Sequence, residues 1–177
     1  MQWLGLYQLD KNGLKSVLAA FAEAFPDGEI WITPIDALLV GSTRKITIDV
    51  EALRKRIAEE PEVDSELKFA FLPHVEDLLG QYHCSCESMK EFLKGSPVNR
   101  DGNLYVQFSG VHRSSWNHLE LFEMMWSLRK WDPKKFIVPE EKRADFLAAI
   151  ERHWAVMEKH AEWKIGQYRQ YILYNKK

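Results

Sequence analysis

Six apolar residues between Leu14 and Phe25 recur at the spacing of one helix face, and such a stripe has to be covered by another layer of structure. They are Leu14, Val17, Leu18, Phe21, Ala22 and Phe25. Asp10 stands where an N-cap belongs, and Pro26-Asp27-Gly28 ends the helix. Two short strands are predicted next, Glu29 to Thr33 and Ala37 to Val40, separated by Pro34-Ile35-Asp36. The second is continuously apolar, as a strand covered on both faces is. Helix followed by paired strands makes the chain α/β.

The remaining pattern is mostly helical. Gly41-Ser42-Thr43-Arg44 closes the second strand, and Lys45 to Ile48 adds an extended stretch. Asp49 is placed to cap a helix running to Glu60, with Val50, Leu53 and Ile57 facing inward and Pro61 stopping it. Ser65 to Lys94 reads as two or three short helices, broken at Pro73 and near Cys84 and ended by Gly95. Ser96 to Asn103 is a turn-rich loop, and Leu104 to Phe108 is a third strand candidate. Helical spacing resumes at Ser114 with Trp116, Leu119, Phe122, Met125, Trp126 and Leu128, until Trp131-Asp132-Pro133. Glu140 to Tyr171 then carries Phe146, Ile150, Trp154, Met157, Ala161, Ile165 and Tyr168, one stripe on one or two long helices. Met1 to Leu9 is apolar and irregular, as in a chain entering mid-fold, and Lys176-Lys177 follows a helix without a terminator. Both ends predict a piece of a longer parent.

Composition narrows the partners. With 177 residues, 46% of them hydrophobic, the chain suits one domain or one domain with an appendage. Seven Trp and nine Phe predict either an aromatic core or a buried partner surface. A net charge of -2 argues against nucleic acid, which calls for a basic footprint. From Lys134 onward bases outnumber acids, while the rest is acidic. Cys84 and Cys86 lie one residue apart, too close for a disulfide framework and without further ligands for a metal; they read as ordinary reduced cysteines at a helix start. No apolar run reaches the 18 residues that a membrane span needs, so a cytoplasmic chain without a membrane segment is expected. Six histidines are scattered (His74, His83, His112, His118, His153, His160). Neither a glycine-rich phosphate turn nor a serine elbow or metal-binding helix motif occurs, which leaves the catalytic residues unknown, with no metal or cofactor site.

Gln2-Trp3-Leu4 through Phe25-Pro26, Ile35 to Ser42, and Val98 to Asp101 with Leu104 to Ser109 are three short motifs over residues 1–113, and together they resemble the C-terminal part of the spermidine/spermine synthase (aminopropyltransferase) family, most closely the bacterial members fused to transporter segments. Gln2-Trp3-Leu4 through Phe25-Pro26 looks like the segment that begins with a substrate-contacting Gln and ends in a helix and Phe-Pro. Ile35-Asp36-Ala37-Leu38-Leu39-Val40-Gly41-Ser42 resembles the last sheet hairpin. Val98-Asn99-Arg100-Asp101, followed by Leu104 to Ser109, resembles an Asn-x-Asp turn and closing strand.

The resemblance implies a truncated methyltransferase-like (Rossmann-like) α/β part, predominantly helical with a small mixed sheet, over 1–113, and a helical extension over 114–177. It implies a parent that transfers an aminopropyl group from decarboxylated S-adenosylmethionine to a polyamine. The nucleotide-binding loop and catalytic acid of the family precede the segment present here, so the missing N-terminal half is the implied partner. Only Gln2 carries over as a substrate contact, with Asn99 and Asp101 as a structural turn. The family's Tyr-Pro substrate loop is reduced to Thr33-Pro34-Ile35-Asp36, and the stretch before the Asn-x-Asp turn is longer. Asp36 and Asp101 also read plainly as turn-formers. Two other readings stand beside this one: an interaction or homo-oligomerisation module using the aromatic tail, and a small enzyme built on Gln2, Asp101 and His112.

Overall fold

Helix α1 (Lys11–Ala24) forms where the stripe predicts it. The Asp10 carboxylate accepts from the Gly13 amide at 2.6 Å, satisfying one of the donors a helix start leaves open. Leu14 and Leu18 are fully buried, with Val17, Phe21 and Ala22 packed around them. Gly28 follows because a Cβ there would stand 2.8 Å from the Phe25 carbonyl and 2.9 Å from the Phe21 ring. The chain can therefore turn tightly from α1 into the sheet.

The computed structural model describes residues 1–6, 9–33, 36–103, 106 and 117–175; the side chains of 117–120, 122, 161, 164, 165 and 167–175 lie outside that description. The main sheet has four strands in the order β1-β3-β2-β5. They are β1 (Gln2–Gly5), β2 (Glu29–Ile32), β3 (Asp36–Val40) and β5 (Tyr82–Ser85). Every pairing is antiparallel, with Gln2 opposite Leu39, Ile30 opposite Leu39 and Ile30 opposite Cys84. The parallel pairing of the expected mixed sheet is confined to β4 (Ile48–Asp49) and β6 (Phe136–Ile137), a separate two-stranded piece. The described residues thus make a mixed α/β fold with a small antiparallel sheet.

Three expectations need correction. The opening residues are β1, a strand held by the whole length of the hairpin strand β3. The segment with the two cysteines is β5, which pairs with β2 through a register shift between Ile30 and Trp31. Cys84 lies in that strand and Cys86 just beyond it, both buried. The helices around β5 are α2 (Val50–Glu59), α3 (Pro61–Phe69), α4 (Val75–Leu79) and α5 (Lys90–Leu93). Pro61 both stops α2 and starts α3, since proline at a helix's first position gives up only an amide that has no partner there. Asp49 caps α2 as expected, accepting from Ala52 at 2.9 Å. Asp36 is not the turn-former: Thr33 Oγ1 accepts the Asp36 amide at 3.2 Å, and Asp36 itself is buried at the start of β3.

The later segments pack on the body. Leu121 and Met125 of α6 (Asn117–Ser127) join the core formed by Leu14, Leu18, Ile30, Ile32, Leu39 and Cys84 on one face of the sheet. The other face carries Trp31 and Tyr82. It is covered by Trp131, Phe136, Phe146, Ile150 and Trp154, together with Val50, Val75 and Leu79. Phe146, Ile150 and Trp154 belong to α7 (Glu140–Asn175), a single helix of 36 residues and so about 54 Å long. The strand expected at Leu104–Phe108 lies outside the described residues except for Val106.

Candidate functional site

An open groove of about 990 Å³ lies between α2, the α3–α4 connection, α4 and the proximal half of α7. Each side is positioned by local chemistry. The Asp77 carboxylate of α4 accepts the His74 amide at 3.1 Å, which fixes the start of that helix. The same carboxylate accepts from Nδ1 of His153 on α7 at 3.3 Å. One residue on, Trp154 Nε1 donates to the Gly80 carbonyl at 2.9 Å. A Cβ at Gly80 would stand 2.5 Å from His153 Cδ2, so α7 lies against bare backbone.

The Asp77–His153 pair looks at first like an oriented base. Its geometry decides otherwise. With the Nδ1 proton on Asp77, Nε2 is the lone acceptor, yet that atom is enclosed and has no partner among the described residues. The imidazole borders the groove but is clamped between α4 and Gly80 with its Nε2 enclosed. It joins two helices.

Four of the groove's charges are paired with one another. Arg54 binds Glu76 at 2.7 Å and Glu51 at 3.6 Å, and Lys142 binds Glu51 at 2.7 Å. The hydrogen bond from Lys142 holds the Glu51 carboxyl below the usual range, and its bond to Glu76 holds Arg54 above its own. Burial opposes ionisation of Glu76, but the Arg54 contacts outweigh it and its pKa stays low. Beside Asp145 and Arg152, the rest of the lining includes the apolar Phe71, Val156 and Met157, Phe71 being 89% exposed and held at φ 61°.

Other titratable groups are buried out of reach. His83 Nε2 donates to the Met125 carbonyl at 2.5 Å, and burial pushes its pKa down to about 4. Burial pushes the Cys84 thiol up to about 12 and Cys86 up to about 11, so neither is a ready nucleophile. Lys135 and Glu29 form a fully enclosed ion pair under Trp31, Tyr82 and Phe136. Among the described residues, no group of three or more His, Cys, Asp or Glu could hold a metal ion.

The residues named from sequence do not meet here. Gln2 is exposed on β1, its amide donating to the Trp3 carbonyl at 2.9 Å. Asn99 lies in the loop that crosses α1: its amide donates to Ser16 O at 3.3 Å, and its side chain accepts from the Val106 amide at 3.2 Å. Asp101 occupies an exposed turn closed by Asn103, whose Oδ1 accepts from the Arg100 amide at 3.0 Å, and Arg100 forks onto Glu23 at 2.6 and 2.7 Å. His112 lies outside the described residues. The groove itself was missed. Asp77 and His153 are 76 residues apart, and no local pattern announces the pair.

The resemblance implies an S-adenosylmethionine-type nucleotide for the parent, and the turn from β1 into α1 does not fit one. Residues 6–10, which link β1 to α1, include no glycine, and the Asp10 carboxylate occupies the helix start that would otherwise receive an anion. No family model, no curated protein and no solved structure matches the chain. Among the described residues, no helix is long and apolar enough to cross a membrane.

Proposed function

We propose that this chain is the C-terminal part of an aminopropyltransferase-like α/β protein and that it is catalytically silent by itself. One observation carries the reading: β1, α1 and the β2–β3 hairpin fold so that β3, the later strand, lies between β2 and β1. Among the described residues β1 pairs with β3 alone, which leaves its other side for the strands of a preceding half. The order strand, helix, closing hairpin is the one the resemblance expects. Gln2 sits on that strand, where a complete sheet would bring it toward substrate.

Titration calorimetry with S-adenosylmethionine and with its decarboxylated form tests this directly. No heat of binding is expected. Tight binding of either would mean that a nucleotide site exists within these residues, and the proposal would fall. A parent reading frame that runs upstream into a glycine-rich strand-to-helix turn supports the family. A frame without one counts against it.

A second reading, an interaction module, is favoured by α3. None of its residues is buried, and Val63, Phe69 and Phe71 beyond it are exposed.

A further inference from the structure

Helix α3 presents an unusual surface. It touches the body chiefly through α2, and Phe69 and Phe71 at its end are 83% and 89% exposed. Apolar side chains that size are normally covered in the state in which a protein works. Their setting is acidic. Residues 59–72 hold Glu59, Glu60, Glu62, Asp64 and Glu66 against Lys68 alone, and Lys68 is already paired with Asp64 at 2.5 Å. An anionic membrane would be repelled here, and so would a nucleic acid. The chemistry calls for a basic segment with aromatic side chains.

The chain contains such a segment. In sequence, residues 159–177 hold Lys159, Lys164, Arg169, Lys176 and Lys177 against Glu162 alone, and the distal half of α7 runs through this stretch to Asn175. The same stretch carries Trp163, Tyr168, Tyr171 and Tyr174, and Trp163 is 58% exposed. The helix continues unbroken to Asn175, which carries it well beyond the groove where Phe146, Ile150 and Trp154 are fixed. Phe71 stays exposed although Val156, Met157 and His160 of the same α7 line the groove beside it. A second copy can take that place.

We propose that two copies of this chain associate reciprocally, each laying the basic aromatic distal half of α7 across the acidic α3 and the Phe69–Phe71 corner of the other. Reciprocity follows from area. Helix α3 has nine residues and is about 14 Å long, far short of supplying the ~800 Å² per partner of a standard interface in one contact. Two symmetric contacts double the surface and close the assembly, whereas a one-way contact would propagate into open chains. The inference does not depend on the aminopropyltransferase reading, and its failure would leave that reading intact.

The test is association of the full chain, measured by sedimentation velocity at tens of micromolar. A dimer is expected that weakens as salt is raised, because exposed opposite charges are screened. Glu62→Lys with Glu66→Lys should shift the equilibrium to monomer, and adding Lys164→Glu with Arg169→Glu should restore the dimer. Glu62 and Glu66 are exposed and outside both cores, and circular dichroism of each variant checks that the fold is kept. A photo-crosslinker at position 163, in a mixture of isotope-labelled and unlabelled copies, should join residues 59–72 of the other copy. A strict monomer overturns the proposal. So does a dimer indifferent to the charge reversals, or a crosslink within one chain.

Discussion

The two faces of one four-stranded sheet are filled by different chemistry. The face under α1 and α6 is aliphatic and sulfur-rich: Leu14, Leu18, Ile30, Leu39, Met89, Leu121 and Met125 are buried there with both cysteines. The opposite face is aromatic and holds a charge pair. Trp131 stacks on Phe136 at 4.3 Å, Tyr82 meets Trp31, Trp131 and Phe136 edge-on, and Lys135 and Glu29 are sealed beneath them. The Trp31 indole completes the pair, donating to Glu29 at 3.1 Å. The first face is held mostly by shape, with the buried His83–Met125 hydrogen bond at its edge. The second is held by partners that must all be present, so truncating one of them does more damage there.

The sharpest way to break this contrast is Lys135→Ala, which strands Glu29 as a buried uncompensated charge. A loss of about 4 kcal/mol is expected in denaturant unfolding. Changing both residues to Met should recover most of it, because an apolar pair of similar volume has no charge to satisfy. On the aliphatic face, Leu18→Ala removes a fully buried side chain and should cost about 3 kcal/mol, with no partner change able to rescue it.

Acid offers a comparable probe of His83, which bridges β5 and α6. Its folded pKa is about 4 against 6.5 for the free side chain, so the unfolded chain binds the proton more readily. Stability from this residue is therefore complete above pH 6.5 and lost as the pH falls toward 4. The loss amounts to about 3 kcal/mol at one pKa unit per 1.36 kcal/mol. His83→Gln should flatten that part of the pH profile; an unchanged slope would place the titration elsewhere.

Gly80→Ala is the mildest test. The added methyl meets the His153 ring at 2.5 Å and should cost about 2 kcal/mol by overpacking. In a His153→Ala background the cost should largely vanish, as expected for residues in direct contact.

How much of this was legible follows from where the information lies. The stripe from Leu14 to Phe25, the Asp10 and Asp49 caps and the hairpin strands are local features, and the structure has them where the pattern places them. Strand β5 was hidden because Tyr82-His83-Cys84-Ser85 has no alternation of its own. Both faces of the sheet are covered there, so Tyr82, His83 and Cys84 are all buried. Strand β1 was hidden for a related reason: four residues show too little pattern to stand out before β3 pairs with them. The groove was illegible because α2, α4 and α7 reach it from distant stretches of chain, and its ion pairs become partners only once folded.

The Lys135–Glu29 pair spans 106 residues of sequence, and that separation bears on the order of assembly. While the chain is being synthesised, β2 emerges long before Lys135 does. Until the later residue arrives, the aromatic face cannot close without isolating a carboxylate, so the early sheet can settle on its aliphatic side only. Completion waits for the far end of the body. Contacts that join such distant residues slow folding. They also guard against premature closure, since a chain halted before residue 135 has half a core and a charge that keeps the other half wet.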